Sequence, residues 1–291
     1  MYDYKLLEAF TAVVEKGGFE KAAETLFITQ SAVSQRVRLL EESLGQILLV
    51  RSNPPKPTEA GKGLMAHFNK VRLLESELKQ TASQDKGYTP LSIGLNADTL
   101  ATWFMDAVEE TVRKHRILLD LRVDDQEATH QMLRDGTAAG CISTRSKPFQ
   151  SCTCRRIGTM TYRMLCSSAA YDRFFPAGLS EEALKDVPVI IFNSKDTLHL
   201  QMFEKAFGHV PADYPKMFIP AVDQYLDAVM RGLGVGMMPD NQCVHLIKNG
   251  KLTDAFAPHK IHTTLYWHRW SISSATLDAI SAALIKEHML I

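Results

Sequence analysis

Residues 17–51 carry the pattern that most restricts the fold of this chain. Two short helical periods are separated by a tight polar turn and followed by an apolar strand. In the first period Ala22, Ala23 and Leu26 recur at helical spacing, and the two alanines are small enough to let a second helix cross closely. The second helix is expected to begin near Ser31. This layout predicts a helix-turn-helix followed by a wing.

The second helix of this pattern has an apolar face and a polar face. Val33, Val37 and Leu40 fall on the apolar face at i, i+4 and i+3 spacings. Glutamine can pair with adenine edges and arginine with guanine, while hydroxyls reach phosphates or bases, so the polar face suits the DNA major groove. Any amphipathic surface helix shows a polar face, and that alternative stays open. The side chains predicted to contact DNA here are Thr29, Gln30, Ser31, Ser34, Gln35 and Arg38.

Three neighbouring features favour the DNA-binding interpretation. Leu44-Gly45 ends the helix with the residue that a left-handed C-cap needs, residues 47–50 form a short apolar strand, and the prolines of residues 53–57 supply a stiff turn. On this wing, Arg51 and Lys56 are also predicted to contact DNA. The local excess of positive charge is small, so tight binding is expected to need two copies.

Several segments of the chain resemble the LysR-type transcriptional regulators. The resemblance is carried by ITQSAVSQRVRLLEESLG (28–45), LLVR (48–51) and PTEAG (57–61). It continues through GLNADTLATWF (94–104), VDDQEATHQMLRDG (123–136) and LYWHRW (265–270), which are similar to the ArgP/LysG-like branch of arginine- and lysine-export regulators and the replication-initiation inhibitor. The resemblance covers essentially the whole chain.

Composition is that of an ordinary soluble protein. The 291 residues allow two or three domains, 45% of them are hydrophobic and 23% charged, and a net charge of zero excludes a globally basic coat protein for nucleic acid. No signal segment and no apolar run of about 18 residues is present, so we expect a cytoplasmic protein with no membrane partner. An odd count of five cysteines does not suggest a disulfide framework.

A long helix is predicted from Thr58 to about Gln84, with Thr58 as its cap. Its apolar residues recur close to a heptad, which predicts a dimer seam, although the stripe could instead pack on its own domain. Pairing would place two recognition helices about 34 Å apart and predicts a pseudo-palindromic operator. The resemblance implies a homodimer or homotetramer, and RNA polymerase is expected as a further partner. The seam residues are Leu64, Phe68, Val71, Leu74 and Leu78.

From residue 91 onward, short apolar runs alternate with helical stretches in two similar βαβ units. The resemblance implies a two-lobed effector domain like the periplasmic binding proteins. The fold class is therefore α/β, with an N-terminal winged helix-turn-helix and a long linker helix. The expected boundaries are 1–60 for DNA binding, 58–84 for the linker and 91–291 for the effector domain, with lobe I at about 91–161 and 266–291 and lobe II at about 162–265.

Ligands of open α/β sheets bind at the carboxyl ends of strands, so the effector is expected between the lobes. A basic amino acid needs free helix amides for its carboxylate and carboxylates for its cationic side chain, so lysine or arginine is the predicted effector. Each Asp or Asn at the end of a strand could instead serve only as the cap of the next helix. The resemblance implies that the hydroxyl of Thr99 contacts the effector, as the hydroxyl at this position does in many members of the family. The predicted effector residues are Asn96, Ala97, Asp98, Thr99, Asp124, Asp125, Glu127, Asn193, Asp196 and Asp223.

Other motifs are discounted. The glycines of residues 232–236 lie in helix-to-strand order, the reverse of a phosphate loop. Cys152 and Cys154 have no histidine or cysteine at a metal-ligand spacing nearby, and no Gly-x-Ser-x-Gly elbow follows a strand. We therefore expect no catalytic residue, no metal and no cofactor apart from the small effector. The leading hypothesis is a ligand-responsive regulator. An architectural or replication-origin DNA-binding protein without effector response remains the alternative, and an enzyme on this fold is a third.

Overall fold

The N-terminal domain consists of three helices and a two-stranded wing. The computed structural model describes residues 2–82 and 87–285, with the side chains of 81–82 and 126–128 excepted. The helices are α1 (Tyr4–Lys16), α2 (Phe19–Leu26) and α3 (Gln30–Leu44), and the wing pairs β1 (Leu49–Val50) antiparallel with β2 (Lys56–Pro57).

Helix α3 begins one residue before the predicted Ser31. The hydroxyl of Thr29 accepts a hydrogen bond from the backbone N–H of Ala32 at 3.2 Å and so caps the helix. At the other end Gly45 adopts φ 64°, which a C-cap glycine reaches without steric cost. Val33 and Val37 are buried against the other two helices, as their spacing predicted.

The linker helix α4 spans Glu59–Ala82 and is joined to the wing at its start. The Thr58 hydroxyl accepts from the N–H of Gly61 at 3.1 Å and donates to the carbonyl of Ile47 at 2.8 Å. Arg72, further along, forms an ion pair with Glu15 of α1 at 3.1 Å. The helix is thus fastened to the DNA-binding domain on two sides.

The predicted effector domain follows in chain order. Its first half contains β3 (Thr89–Leu95), α5 (Ala97–Thr99), a π-helical segment (Leu100–Phe104), α6 (Met105–Lys114), β4 (Ile117–Val123), α7 (Gln126–Arg134) and β5 (Gly140–Ser143). Strand β6 (Cys152–Ser167) then carries the chain from the first half of the domain into the second. The second half contains α8 (Ser168–Phe174), α9 (Glu181–Leu184), β7 (Val189–Ile191), α10 (Leu198–Phe207), β8 (Lys216–Phe218), α11 (Val222–Met230), β9 (Val235–Pro239), α12 (Asp240–Lys248) and β10 (Leu252–Asp254). It returns in β11 (Ile261–Trp270) and ends the described part with α13 (Ala275–Ile285).

These strands form one sheet in the order β4-β3-β5-β11-β6-β9-β7-β8, with β10 beside β6. Strand β3 pairs parallel with β4 and β5 in lobe I, and β7 pairs parallel with β8 and β9 in lobe II. The antiparallel strands β6 and β11 pair along residues 152–162 and 261–270 and connect the two lobes. The predicted fold class is confirmed, and the two lobes are connected by two long strands.

Lobe I also contacts the linker helix. The side-chain amide of Asn69 donates to the carbonyl of Gly136 at 2.9 Å, and Glu77 accepts from the N–H of Thr276 at the start of α13 at 2.9 Å. Gly136 has φ +75°, and a β-carbon there would lie 2.3 Å from Cα of Ala66 in α4. Only glycine permits this approach, so α4 rests directly on the backbone of lobe I.

Candidate DNA-binding surface and effector cleft

The polar face of α3 is open to solvent. The predicted residues Thr29, Gln30, Ser31, Ser34, Gln35 and Arg38 are all exposed, and Arg51 and Lys56 are exposed on the adjacent wing. Arg38 pairs with Glu42 at 2.7 Å, but both side chains are largely in solvent, where such a pair contributes about 1 kcal/mol or less. Arg38 can therefore exchange this partner for a base or a phosphate.

The stripe of the linker helix divides into two parts. Leu64 and Phe68 are half-buried against the core of their own DNA-binding domain, which is the alternative that the sequence left open. Val71 and Leu74 are half-buried, and Leu78 is 67% exposed. The dimer seam therefore stays a prediction that depends most on the C-terminal half of α4.

An open cavity lies where the two lobes meet. Lobe I contributes Asp98 to its wall. Lobe II contributes Asp196 and Gln242, together with an apolar lining. The apolar lining consists of Phe192, Leu198, Val222, Tyr225, Met237 and Pro239. Two of the ten predicted effector residues, Asp98 and Asp196, are thus brought to one cavity from opposite lobes.

The electrostatics of the cavity are set by these two carboxylates. The pKa of Asp98 is raised from 3.8 to about 6, by burial first and also by the negative charge of Asp196, against a hydrogen bond from Tyr162 that lowers it. That bond runs from the Tyr162 hydroxyl to Oδ2 of Asp98 at 2.9 Å. Asp196 accepts from the backbone N–H groups of Phe192 at 3.2 Å and Leu198 at 3.0 Å, which fixes its carboxylate. Among the described residues, neither carboxylate forms an ion pair with lysine or arginine.

Asn96 adds a further acceptor beside them. It is the N-cap position of α5, but its side chain makes no capping hydrogen bond. Its Oδ1 is buried and has no hydrogen-bond partner within the part of the chain that the structure describes. Buried acceptors normally have donors, so Oδ1 of Asn96 is an exception near Asp98, although Asn96 does not itself line the cavity.

Thr99 lies elsewhere. Its side chain is fully buried, and its hydroxyl points at the sulfur of Met160 at 3.9 Å, a weak contact inside lobe I. It is not part of the cavity wall. The residue before it, Asp98, takes the place at the cavity that we expected Thr99 to occupy.

Two further predicted carboxylates form an ion-pair bridge across the lobes. Asp124 and Asp125 follow β4 of lobe I, and Lys195 of lobe II reaches them with Nζ at 3.6 Å and 2.7 Å. These carboxylates hold the pKa of Lys195 above its usual value, through the hydrogen bond with Asp125 first. Lys195 is exposed, so the bridge is weak and sensitive to salt.

The remaining predicted residues do not line the cavity. Asn193 accepts from the N–H of Lys195 at 2.8 Å and shapes the loop before α10. Asp223 is exposed in the first turn of α11, and Ala97 is half-buried in the first turn of α5. The side chain of Glu127 lies outside the described residues.

Two tyrosines of the site escaped the sequence analysis. Tyr162 faces Asp98 from β6. Tyr225 of α11 donates to the carbonyl of Ile190 at 2.7 Å and accepts from the N–H of Met237 at 2.9 Å, so it ties β7 to β9 at the cavity. Both lie on buried faces with no motif around them, and only their tertiary contacts reveal them.

The structure places a histidine near one of the two cysteines, Cys152 and Cys154, that lack one nearby in sequence. His268 of β11 lies across from Cys154, with Nε2 3.6 Å from the sulfur, so a histidine does approach this cysteine in space although none does in sequence. Burial raises the pKa of the Cys154 thiol. Among the described residues, no three histidine, cysteine or acidic side chains are grouped to hold a metal ion. No helix in the described ranges has the length and apolar character to span a bilayer.

Comparisons with known proteins cover nearly the whole chain. The family model "Bacterial regulatory helix-turn-helix protein, lysR family" matches residues 4–62, and "LysR substrate binding domain" matches residues 88–288. The HTH-type transcriptional regulator ArgP of Aeromonas salmonicida is 38% identical over 98% of this chain and 96% of its own. ArgP of Pseudomonas aeruginosa strain UCBPP-PA14 is 40% identical over 98% of this chain and 95% of its own.

Two solved structures are similar over their full length. The crystal structure of ArgP from Mycobacterium tuberculosis has a TM-score of 0.86 and 32% identity, with 98% of this chain and 97% of that chain covered. Full-length LysG from Corynebacterium glutamicum with bound effector Arg has a TM-score of 0.77 and 29% identity, with the same coverage.

Proposed function

Because the chain belongs to the LysR family of bacterial transcriptional regulators, we propose that a basic amino acid, lysine or arginine, binds its inter-lobe cleft and alters its binding to DNA. The members of this family are DNA-binding regulators and not enzymes. Helix α3 and the wing present the side chains suited to a major groove. The cleft is lined by Asp98 and by residues of lobe II, all beyond the linker helix in sequence, so the two activities occupy separate domains.

The observation that carries the choice of effector is the pair Asp98 and Asp196. Two carboxylates that face one partly buried cavity repel each other, and the pKa of Asp98 is raised by burial first and by the charge of Asp196 in addition. A cationic side chain placed between them would remove this repulsion and would supply donors to both. The two carboxylates therefore favour a cationic group, an ammonium or a guanidinium, over a neutral one. Comparison of lysine with norleucine, which shares the α-ammonium, tests whether that group is the side chain.

The carboxylate of an amino acid would also have a partner. The first backbone amides of the helix that begins at Ala97, next to Asp98, lie at its positive end and suit a carboxylate. The bound Arg of the similar LysG structure supports the same choice.

The proposal extends to assembly and partners. Two copies joined through α4 would present two recognition helices to a pseudo-palindromic operator, and such dimers could associate into tetramers. We place the protein in the cytoplasm, where it would meet DNA and RNA polymerase. It would need no cofactor other than its effector.

Titration calorimetry of the full-length protein tests the effector. Lysine and arginine are compared with norleucine, which lacks the terminal ammonium, and with citrulline, which replaces the guanidinium by a neutral urea group. We expect selective binding of a basic amino acid. Asp98→Asn should weaken it by about 2 kcal/mol or more, at least about 30-fold, because it removes one member of a desolvated charge pair. Asp223→Asn, which changes a carboxylate outside the cavity, is the matched control.

The same protein is then titrated onto duplex DNA with and without the amino acid. A change in affinity or in the footprint supports the regulator. Equal binding of norleucine and lysine would remove the basic side chain from the proposal. Tight DNA binding that no amino acid alters would favour the architectural or replication-origin alternative.

A further inference from the structure

The turn that connects α2 to α3 contains an unusual residue, Phe27. Its side chain is 94% exposed, more than any other large apolar side chain in the described part of the chain. Its φ is 53°, in the left-handed region, where it ends α2 as the C-cap. The N–H of Phe27 bonds to the carbonyl of Glu24 at 3.4 Å, and that of Ile28 bonds to the carbonyl of Ala23 at 3.1 Å.

Folding gains nothing from phenylalanine at this position. Glycine or asparagine is the usual choice for a left-handed C-cap, because a larger side chain brings Cβ close to the following carbonyl oxygen. Helices α1 and α3 end in that way, with Gly17 and Gly45. The exposed ring also forgoes the free energy of burial. A bulky residue that is both strained and solvated marks a position held for contact with a partner.

The position of Phe27 identifies this partner. It lies two residues before Thr29, the N-cap of α3, and the exposed residues Gln30 and Ser31 follow directly. The N-terminal end of a recognition helix is the end that contacts base edges in a helix-turn-helix. The apolar feature of the major groove is the C5 methyl group of thymine.

We propose that the ring of Phe27 packs on a thymine methyl group at the edge of each half-site and gives the protein a preference for thymine there. This inference rests on the proposed DNA-binding function. It adds an apolar contact to a recognition surface whose other members are polar or charged. It also explains why the turn keeps a residue that its backbone disfavours.

A deoxyuridine scan tests the contact. Duplexes are selected from a random library with the purified full-length protein, and each thymine is then replaced singly by deoxyuridine, which pairs in the same way but lacks the methyl group. At one position in each half-site we expect the natural protein to lose about fourfold in affinity, the value of one buried methyl group. Phe27→Ala and Phe27→Asn should bind the natural duplex more weakly and show no loss from deoxyuridine at that position.

Thermal stability provides a second readout, which should rise in a variant whose DNA binding falls. Phe27→Asn should raise the melting temperature by about 2 °C, because asparagine tolerates the left-handed region and no buried contact is lost. The matched control is Ser151→Asn in the effector domain. Ser151 is also exposed with a positive φ, 61°, so its variant should leave DNA binding unchanged.

The outcomes separate the hypotheses. A natural protein whose affinity does not respond to any single deoxyuridine, or a Phe27→Ala variant that keeps the same response, would overturn the inference. A Phe27→Ala variant that changes only the self-association of the free protein would assign the ring to a protein interface and would overturn it too. A natural protein that binds no duplex at all would instead refute the proposed function.

Discussion

The raised pKa of Asp98 predicts that effector binding depends on pH near 6. The rise from 3.8 to about 6 means that ionising Asp98 in the folded, empty protein costs about 3 kcal/mol more than in the unfolded chain. A cation binds the ionised form. Below pH 6 the binding must therefore also expel a proton, and the dissociation constant should rise about tenfold per pH unit. Binding at pH 5 should be about tenfold weaker than at pH 7.

Stability should show the same titration with the opposite sign. Below pH 3.8 Asp98 is protonated in both states and contributes nothing. Between 3.8 and 6 the unfolded chain loses the proton first, so the free energy of unfolding falls as pH rises, and the full penalty of about 3 kcal/mol persists above 6. Asp98→Asn removes the penalty. This variant should be more stable than the natural protein at pH 7 by up to about 3 kcal/mol and equally stable near pH 4.

Calorimetry between pH 5 and 8, in buffers of different ionisation enthalpy, measures the dissociation constant of the effector and the number of protons released on binding. At pH 6 about half a proton should be released for each amino acid bound. His199, near Asp196, has its pKa lowered by burial and remains in the Asp98→Asn variant, which therefore separates the two groups. A dissociation constant that is the same at pH 5 and 7, or one whose pH dependence survives Asp98→Asn unchanged, would refute the reasoning.

Three further predictions concern the other surfaces. Gln35→Ala should cost about 1–3 kcal/mol at particular base pairs, whereas Arg51→Ala should weaken all duplexes alike and reduce the salt slope by about one; equal losses on every sequence from Gln35→Ala would misplace the recognition face. Leu78→Glu puts a charge on an exposed apolar site of α4 and should weaken self-association in sedimentation, whereas an unchanged mass would remove Leu78 from the seam. Gly136→Ala forces a β-carbon to within 2.3 Å of Ala66 at a positive φ and should lower the free energy of unfolding by more than about 1 kcal/mol, measured by thermal denaturation; an unaltered melting curve would show that the contact yields easily.

The DNA-binding domain was the part that its sequence specified best. Helical spacing, a Thr cap and a Gly end are local signals, and the structure places α3 within one residue of the predicted start. The parallel βαβ units were equally visible, because each strand is a short apolar run. The helices α1 and α13, the shorter helices α8, α9 and α12 and the strand β10 were not predicted.

The cleft shows why a site is harder to predict than a fold. Asp98 and Asp196 come from different lobes, and only the packing of β6 and β11 brings them together. One residue of helical rotation decides that Asp98 faces the cavity while Thr99 faces Met160. The bridge of Lys195 to Asp125 likewise depends on how the lobes approach each other. Sequence spacing contains none of these distances.

The seating of α4 on lobe I has a consequence for signalling. Asn69 and Glu77 anchor the helix to lobe I at two heights, while Thr58 and Arg72 anchor it to the DNA-binding domain. These contacts join the DNA-binding domain, α4 and lobe I within one subunit, so a closure of the cleft would move lobe II relative to all three. Such a movement would leave the DNA contacts of the same subunit's DNA-binding domain unchanged. Lobe II would then affect DNA binding only through its contact with a neighbouring subunit. An isolated protomer would therefore bind the amino acid without a change in its affinity for DNA.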